Sequence, residues 1–195
     1  MVTTQQGTKL VVLPEELVKE VRTIAIKQGI SLASYTADVL EQAIRAEKMG
    51  ASPQDAVDAY DILKVTRTSG AVQIPRSNLD DLISKLYKLD RDKLLGVWEK
   101  AGRWYGEYLH TLLGSGALPF FERALEASWN LDEVEIEEDG LMIKMRFASF
   151  VLSLELTELL ISYITGFMRT LGYISMETDY RRGLASFLFR MAPND

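Results

Sequence analysis

Residues Thr8 to Met49, TKLVVLPEELVKEVRTIAIKQGISLASYTADVLEQAIRAEKM, give the most specific indication of a fold in this sequence. Lys9 to Leu13 is a β-type run that ends at Pro14, a residue suited to the first turn of a helix because no backbone N–H is needed there. Gly29 predicts the end of a first amphipathic helix, and Ser31 predicts the N-cap of a second one. The predicted order is therefore strand, helix, tight break, helix.

The predicted strand needs a partner, because five residues cannot form a stable strand alone. The next forty residues are predicted to be helical, so no neighbouring strand follows in the chain. A second copy can supply one and form a two-stranded antiparallel ribbon. We therefore expect a homodimer through the N-terminal strand. The side chains expected in this dimer interface are Leu10, Val11, Leu13, Leu17, Val21, Val39 and Leu40.

The N-terminal order resembles the ribbon-helix-helix family of repressors, which includes Arc and MetJ. The resemblance rests on a strand, Leu-Pro-Glu-Glu-Leu (13–17), a helix, Gly-Ile-Ser-x-x-x-Tyr (29–35) and a second helix, about a fifth of the chain. In that family the ribbon enters the major groove, and the second helix begins at a phosphate. The resemblance implies double-stranded DNA as a partner. The residues it places on DNA are Thr8, Lys9, Leu10, Val12, Ser31, Leu32 and Ala33.

The predicted DNA-reading face departs from the pattern of that family, whose members usually carry polar or basic side chains there. Val11 and Leu13 are expected to face inward, which leaves Thr8, Leu10 and Val12 on the reading face. Leu10 and Val12 can contact a thymine methyl group but cannot donate a hydrogen bond to a base. Two roles stay open for this module: DNA binding, or dimerisation alone.

Composition and charge limit the function classes. The chain has 195 residues, 47% hydrophobic and 26% charged, which is ordinary for a soluble globular protein. No signal-peptide pattern opens it, and its most apolar segment, 154–171, contains Glu155, Glu158 and Arg169, so we expect a buried helix and no membrane span. Cysteine is absent, which excludes disulfides and thiolate metal sites and suits a cytoplasmic protein.

The net charge of −6 is unevenly distributed. Residues 1–89 carry 11 basic and 11 acidic side chains, and residues 90–195 carry 11 basic and 17 acidic ones. A nucleic-acid-binding domain usually has a basic surface. Residues 1–89 have no net charge, so any phosphate contact that they make must depend on a few basic side chains close to the phosphate.

We expect three segments: a ribbon-helix-helix domain with an extra helix at 1–67, a connecting strand and helix at 68–89, and an α+β ligand-binding-like domain at 90–195. The extra helix begins at Ser52, and its expected buried side consists of Ala56, Val57, Tyr60 and Leu63. The connection is expected to contain a strand at 71–74 and a helix capped by Asn78, whose expected apolar face is Leu79, Leu82, Ile83 and Leu86.

The last segment predicts helices packed on a small antiparallel sheet, which makes the whole chain mostly α with an α+β C-terminal domain. Asp90 is a predicted cap for a helix over 91–113, whose apolar face is expected to include Ala101 and Leu112, and 119–129 is a further helix. Strict alternation at 133–137, followed by Asp139-Gly140, predicts a β-hairpin that ends at 147. A long helix at 154–171 and a second hairpin over 173–191 complete the order.

Several short features of residues 90–191 resemble the 4-vinyl reductase-type small-molecule-binding domain, which is related in fold to haem-nitric-oxide sensors and TRAPP vesicle-tethering subunits. They are Gly102 with Tyr105-Gly106, the acidic hairpin, Gly166-Phe167, and Glu177 through Gly183 to Phe187 and Phe189. Family members often carry two cysteines in the last hairpin, where this chain has Tyr180 and the stretch around Ser186. The resemblance implies a hydrophobic pocket for a small ligand, without thiol-dependent metal chemistry.

No catalytic motif is present, so we expect no enzyme, no cofactor and no metal site. The single histidine, His110, is expected at the surface, and the acids of Asp132 to Asp139 are expected to be solvated. Five aromatic side chains are candidates for lining a pocket for a small apolar ligand, although aromatic residues more often fill a core. They are Trp98, Tyr105, Trp129, Tyr163 and Phe167.

Two functions follow from these expectations. The first is a dimeric DNA-binding transcription regulator with a C-terminal small-molecule-sensing domain. The second is a dimeric scaffold or ligand-binding protein that does not bind DNA and uses the ribbon only to dimerise.

Overall fold

The computed structural model describes residues 10–193, which form two compact units that divide between residues 58 and 59. The first unit contains α1 (Glu15–Gln28), α2 (Leu32–Lys48) and the start of α3 (Pro53–Thr68). The predicted segment boundaries were 67/68 and 89/90, whereas the division falls inside α3 and places 68–89 in the second unit.

The N-terminal strand is not formed within one chain. Leu10 to Leu13 have no regular secondary structure, and Lys9 lies outside the described residues. Within residues 10–193 no strand pairs with them.

The predicted break between the first two helices is present. Gly29 ends α1 in the left-handed conformation, with φ of 70°, and the N–H groups of Gly29 and Ile30 donate to Ile26 and Ala25 carbonyls at 3.1 Å. Ser31 Oγ accepts the Ser34 N–H at 3.0 Å and caps α2. The first helix therefore ends and the second begins where the sequence indicates.

The third helix begins as predicted but turns a different face inward. The Asp55 N–H donates to Ser52 Oγ at 3.1 Å, and the Ser52 N–H donates to an Asp55 carboxylate oxygen at 2.7 Å, which is a reciprocal cap. The predicted buried side, Ala56, Val57, Tyr60 and Leu63, is exposed and that prediction is wrong. The side with Ile62 and Val65 packs on the core of the second unit.

The next helix, α4 (Arg76–Leu89), starts two residues before the predicted cap at Asn78. Pro75 precedes it with φ of −54° and ψ of 131° and sets the start, so Asn78 lies inside the first turn. Residues 71–74 form no strand. On α4 the buried side chain is Ile83, while two residues of the predicted apolar face, Leu82 and Leu86, are exposed.

The helix α5 (Arg91–Leu113) has the predicted bounds, with Asp90 accepting the Lys93 N–H at 3.0 Å. Its predicted apolar face is wrong at Ala101 and Leu112, which are both exposed. A 3-10 turn over Gly114–Gly116 continues into α6 (Ala117–Trp129), which therefore begins two residues before the predicted Pro119.

The two predicted hairpins form one four-stranded sheet. Its strands are β1 (Glu133–Asp139), β2 (Met142–Ala148), β3 (Tyr173–Arg181) and β4 (Leu184–Met191), in the order β1-β2-β4-β3 with antiparallel pairing throughout. The predicted α+β architecture is confirmed. One face of the sheet is buried and presents Val134, Ile143, Met145, Phe147, Ala185, Phe187 and Phe189.

The helix α7 (Leu154–Thr170) is the most buried element of the second unit. Leu159, Leu160, Ile164 and Phe167 are each 0% exposed. Among the helices formed by residues 10–193, none combines the length and apolar content that crossing a bilayer requires.

Two glycines let α5 and α7 touch through their backbones. A Cβ atom on Gly102 would overlap the Tyr163 carbonyl group, and one on Gly166 would overlap the Glu99 carbonyl group. The obstacle is backbone in both cases, so a neighbouring side chain cannot move aside to make room. Glycine is therefore required at both positions by packing, not by backbone conformation.

We predict that Gly102→Ala and Gly166→Ala each lower the free energy of unfolding by about 1–3 kcal/mol or more, because an added methyl group forces the two helices apart. Gly96→Ala is the matched control on α5, since no atom lies within 4 Å of a Cβ built there. It should raise stability by about 0.5–1 kcal/mol. Urea unfolding measures all three, and equal effects at the three positions would contradict the account.

Candidate functional site

The second unit contains an apolar cavity with a volume of about 390 Å³. It lies among α5, α6, α7 and the segment that follows α3. The lining residues are Thr66, Ser69, Gly70, Ala71, Val72, Leu79, Trp98, Ala101, Trp104, Tyr105, Phe121, Ala124, Leu125, Ser128, Trp129 and Tyr163.

Aromatic rings from three helices form the cavity wall. Trp98 meets Trp129 edge-on, with ring centroids 5.2 Å apart, and Trp129 lies 5.8 Å from Tyr163. Tyr105 lies 6.1 Å from Tyr163. These separations are typical of favourable aromatic pairs, so the wall is held by its own contacts before any ligand enters.

Four of the five aromatic residues singled out from the sequence line this cavity: Trp98, Tyr105, Trp129 and Tyr163. Phe167 does not. It is 0% exposed and stacks on Phe121 with centroids 3.6 Å apart, so it supports the wall from behind. Phe121 occupies the lining place that sequence reasoning gave to Phe167.

The side chains that line the cavity are polar only through hydroxyl groups and indole nitrogens. None of the described lining residues has a charged side chain. Burial raises the pKa of Tyr105 to about 12 and also raises the pKa of Tyr163. Both phenols therefore stay protonated at neutral pH and can each donate a hydrogen bond. Such a site suits an uncharged, largely apolar molecule with a hydrogen-bond acceptor.

Sequence reasoning missed the wall formed by Ser69 to Val72. The Gly70 and Ala71 N–H groups donate to the Arg67 and Thr66 carbonyls at 3.1 Å, and Gly70 has φ of 79°. This ends α3 and folds the segment over the cavity. The segment has no hydrophobic periodicity, and its second half was predicted to be a strand. Gly70 signals the end of the helix but not the position of the segment beside the cavity.

The residues predicted to bind DNA lie mostly at the surface of the first unit. Leu10 and Val12 are 95% and 88% exposed. Ser31 and Ala33 are exposed and Leu32 is half-buried at the start of α2. Thr8 and Lys9 lie outside the described residues.

The residues predicted to form the dimer interface are also largely uncovered in one chain. Val11, Leu13, Leu17, Val39 and Leu40 are exposed, and Val21 is half-buried. In the described part of this unit, the apolar residues that are fully buried are Ala25 and Ala46. Two alanines do not make a hydrophobic core.

Glu158 is a buried carboxylate at the junction of α4, α5, α7 and β3. It accepts hydrogen bonds from Tyr87, from Arg91 at 2.6 Å and from Tyr180 at 3.2 Å. Burial alone would raise its pKa, but these bonds and the Arg91 charge hold the pKa below its ordinary value. Tyr180 stands where the resembled family often has a cysteine. Because the carboxylate is ionised and fully occupied by donors, its role is to hold these elements together.

The remaining ionisable candidates form no site. His110 is exposed on α5, and Glu133, Glu137 and Asp139 of β1 are exposed, as expected. Within residues 10–193 no group of three or more histidines and carboxylates could hold a metal ion.

We predict that Glu158→Gln lowers the free energy of unfolding at pH 7 by about 1–2 kcal/mol, less than for a fully buried pair because Arg91 is exposed. A carboxyl group with a lowered folded-state pKa contributes stability above its unfolded pKa, ordinarily 4.5, and loses it as pH falls through the folded value. The difference between wild type and variant should therefore vanish in acid. Exposed Glu126→Gln is the control, and a difference independent of pH would contradict the ion pair.

Neither the family models nor the curated proteins with which the sequence was compared contain a match. Among solved structures, one determined to probe the function of haem distortion in the H-NOX family aligns with 68% of this chain and 84% of that chain. The aligned residues are 11% identical, and the TM-score is 0.40. A likeness this low carries no argument about fold or function.

Proposed function

We propose that the chain is a homodimeric, ligand-responsive transcription regulator. Its first unit joins two copies through a ribbon-helix-helix module and contacts double-stranded DNA, and the cavity of its second unit binds a small uncharged ligand. The observation that carries the proposal is the apolar surface of the first unit, where a folded domain should have a core.

The exposed apolar residues of the first unit support dimerisation. Leu17 is 46% exposed, Val39 48% and Leu40 55%. Fully burying one such side chain stabilises a structure by about 1.5–3 kcal/mol. Monomeric proteins rarely leave large contiguous apolar patches exposed. A second copy that covers these residues would give the first unit of each copy the core that it lacks.

The start of α2 supports contact with DNA. The first hydrogen bond of this helix runs from the Tyr35 N–H to the Ser31 carbonyl, so the Leu32 and Ala33 N–H groups remain free of intrahelical acceptors. The positive end of the helix dipole lies at the same place. Two copies of such an end can each bind a phosphate. Because Leu10 and Val12 cannot donate to bases, this DNA contact would position the protein more than it would select sequence.

The alternative is a dimeric ligand-binding protein that does not bind DNA. It is favoured by the charge of residues 1–58, which contain six basic and eight acidic side chains. A net negative module repels phosphate beyond the immediate contact. DNA binding by this module therefore depends on the helix start and on nearby cations such as Lys27.

The cavity supports the sensing role. Its volume of about 390 Å³ lies within the range of small-molecule sites, and its lining is aromatic with a few hydroxyl groups. The lining includes the connection that leaves α3, so a bound ligand would contact the segment leading from the N-terminal helices.

An electrophoretic shift assay with duplex DNA tests the regulator. We expect a complex at roughly 50 mM salt that weakens steeply as salt rises, because phosphate contacts release counterions. Ala33→Glu should abolish it by placing a carboxylate at the phosphate position. Ala37→Glu, exposed one turn later on the same helix, is the control and should retain it. If the wild-type chain forms no complex at low salt, the ligand-binding alternative holds instead.

Fluorescence titration with N-phenyl-1-naphthylamine, an uncharged aromatic probe, tests the cavity. Ser128→Phe places a ring in the cavity from an exposed lining position and should weaken probe binding at least about tenfold. Ala127→Phe adds the same ring at the neighbouring exposed position of α6, which does not line the cavity, and should leave binding unchanged. Equal affinities for the two variants would place the probe elsewhere.

A further inference from the structure

The outward side of α5 carries an apolar ridge formed by Val97, Ala101, Trp104, Tyr108 and Leu112. Their spacing of four, three, four and four residues places them on one side of the helix. Val97 is 53% exposed, Trp104 51% and Leu112 52%. The Trp104 ring stacks on Tyr108, with centroids 5.7 Å apart and planes 7° apart, so the two rings form one continuous apolar block.

The ridge is complementary in shape to a second copy of itself that runs in the opposite direction. If a second α5 lies antiparallel, with a two-fold axis beside Trp104, Val97 meets the partner copy's Leu112 and Ala101 meets the partner copy's Tyr108. The small side chain therefore faces the large one at both symmetry-related places. This is the arrangement that an isologous helix pair needs, because one surface must fit itself.

Charges beside the ridge match the same alignment. Lys100 and Glu107 are both exposed along one edge of the ridge. They are seven residues apart, and the midpoint between them lies next to Trp104. The antiparallel arrangement brings Lys100 of each copy near Glu107 of the other. A parallel two-fold arrangement would instead place the same flank of the two copies on opposite sides of the seam, where these charges do not meet. Opposite charges flanking an apolar helix seam select orientation in this way.

We propose that a second copy of this chain docks its α5 antiparallel on this ridge and completes the rim of the ligand cavity. Ala101 and Trp104 belong both to the ridge and to the cavity lining, and the lining residue Val72 is 77% exposed, so the cavity opens beside the ridge. The partner's Tyr108 covers Ala101 at that opening. The inference rests on the proposed homodimer, because an N-terminal ribbon holds the two ridges at the high effective concentration that a small interface needs.

Single-cysteine crosslinking in the full chain tests the ridge, since the natural chain has no cysteine. Trp104→Cys lies at the two-fold axis, so its thiol meets the same thiol of the other copy and should form an intermolecular disulfide under mild oxidation. Thr111→Cys is the matched control on the exposed side of α5. In the proposed alignment its two copies are about 20 Å apart along the helix axis, too far for a disulfide. We expect Trp104→Cys to crosslink at least about tenfold faster.

Charge-reversal variants test whether Lys100 and Glu107 pair between the two copies. In the Trp104→Cys background, Lys100→Glu should slow crosslinking at least about fivefold, and adding Glu107→Lys should restore the rate, because the pair is re-formed with its charges exchanged. A crosslinking rate for Thr111→Cys equal to that for Trp104→Cys would overturn the ridge, as would failure of the second charge change to rescue the first.

Sedimentation equilibrium of the same variants under reducing conditions separates this inference from the proposed function. A dimer in which Trp104→Cys does not crosslink overturns the ridge and leaves the N-terminal homodimer intact. A monomer that does not crosslink overturns the homodimer on which both proposals rest. A dimer with fast crosslinking at Trp104→Cys alone supports both.

Discussion

The direct backbone contact between α5 and α7 is the constraint on which the second unit depends. Gly102 and Gly166 bring the helices close enough that a single Cβ atom would not fit. The contact places Tyr105 and Tyr163 within one turn of the crossing, where both face the cavity. An aromatic wall of fixed spacing therefore depends on two residues without side chains. The Arg169 side chain adds an ion pair to Glu99 at 2.5 Å across the same crossing.

The sequence predicted the elements of the second unit well, because local signals mark their ends. Asp90 caps α5 through its own side chain, and the turn at Gly140 separates two strands of alternating residues. Which face of a helix turns inward was less predictable. On α3 the choice between the sides of Leu63 and Ile62 depends on what the rest of the unit presents, and no local pattern contains that information.

The candidate site shows the same limit. Aromatic residues at helical spacing marked four of the lining side chains, since rings on neighbouring helices converge on one volume. Phe121 lines the cavity, whereas Phe167 lies behind it in the core. Spacing along a helix does not show how deeply a side chain is buried. The segment at 69–72 gave no signal that it borders the cavity, since Gly70 marks only the end of α3. Its place over the cavity is a tertiary fact, and it gives the proposed sensor a contact with the chain that leaves the N-terminal helices.

The first unit leaves most of its large apolar side chains exposed in the single chain. The proposed function depends on a second copy covering them. One measurement tests it most directly: sedimentation equilibrium of the full chain beside Leu17→Asp and Ile26→Asp. Both residues are exposed in the single chain, at 46% and 70%, but Leu17 belongs to the predicted interface and Ile26 lies on the opposite side of α1. We expect a dimer for wild type and Ile26→Asp and a monomer for Leu17→Asp. A monomeric wild-type chain at micromolar concentration would contradict it.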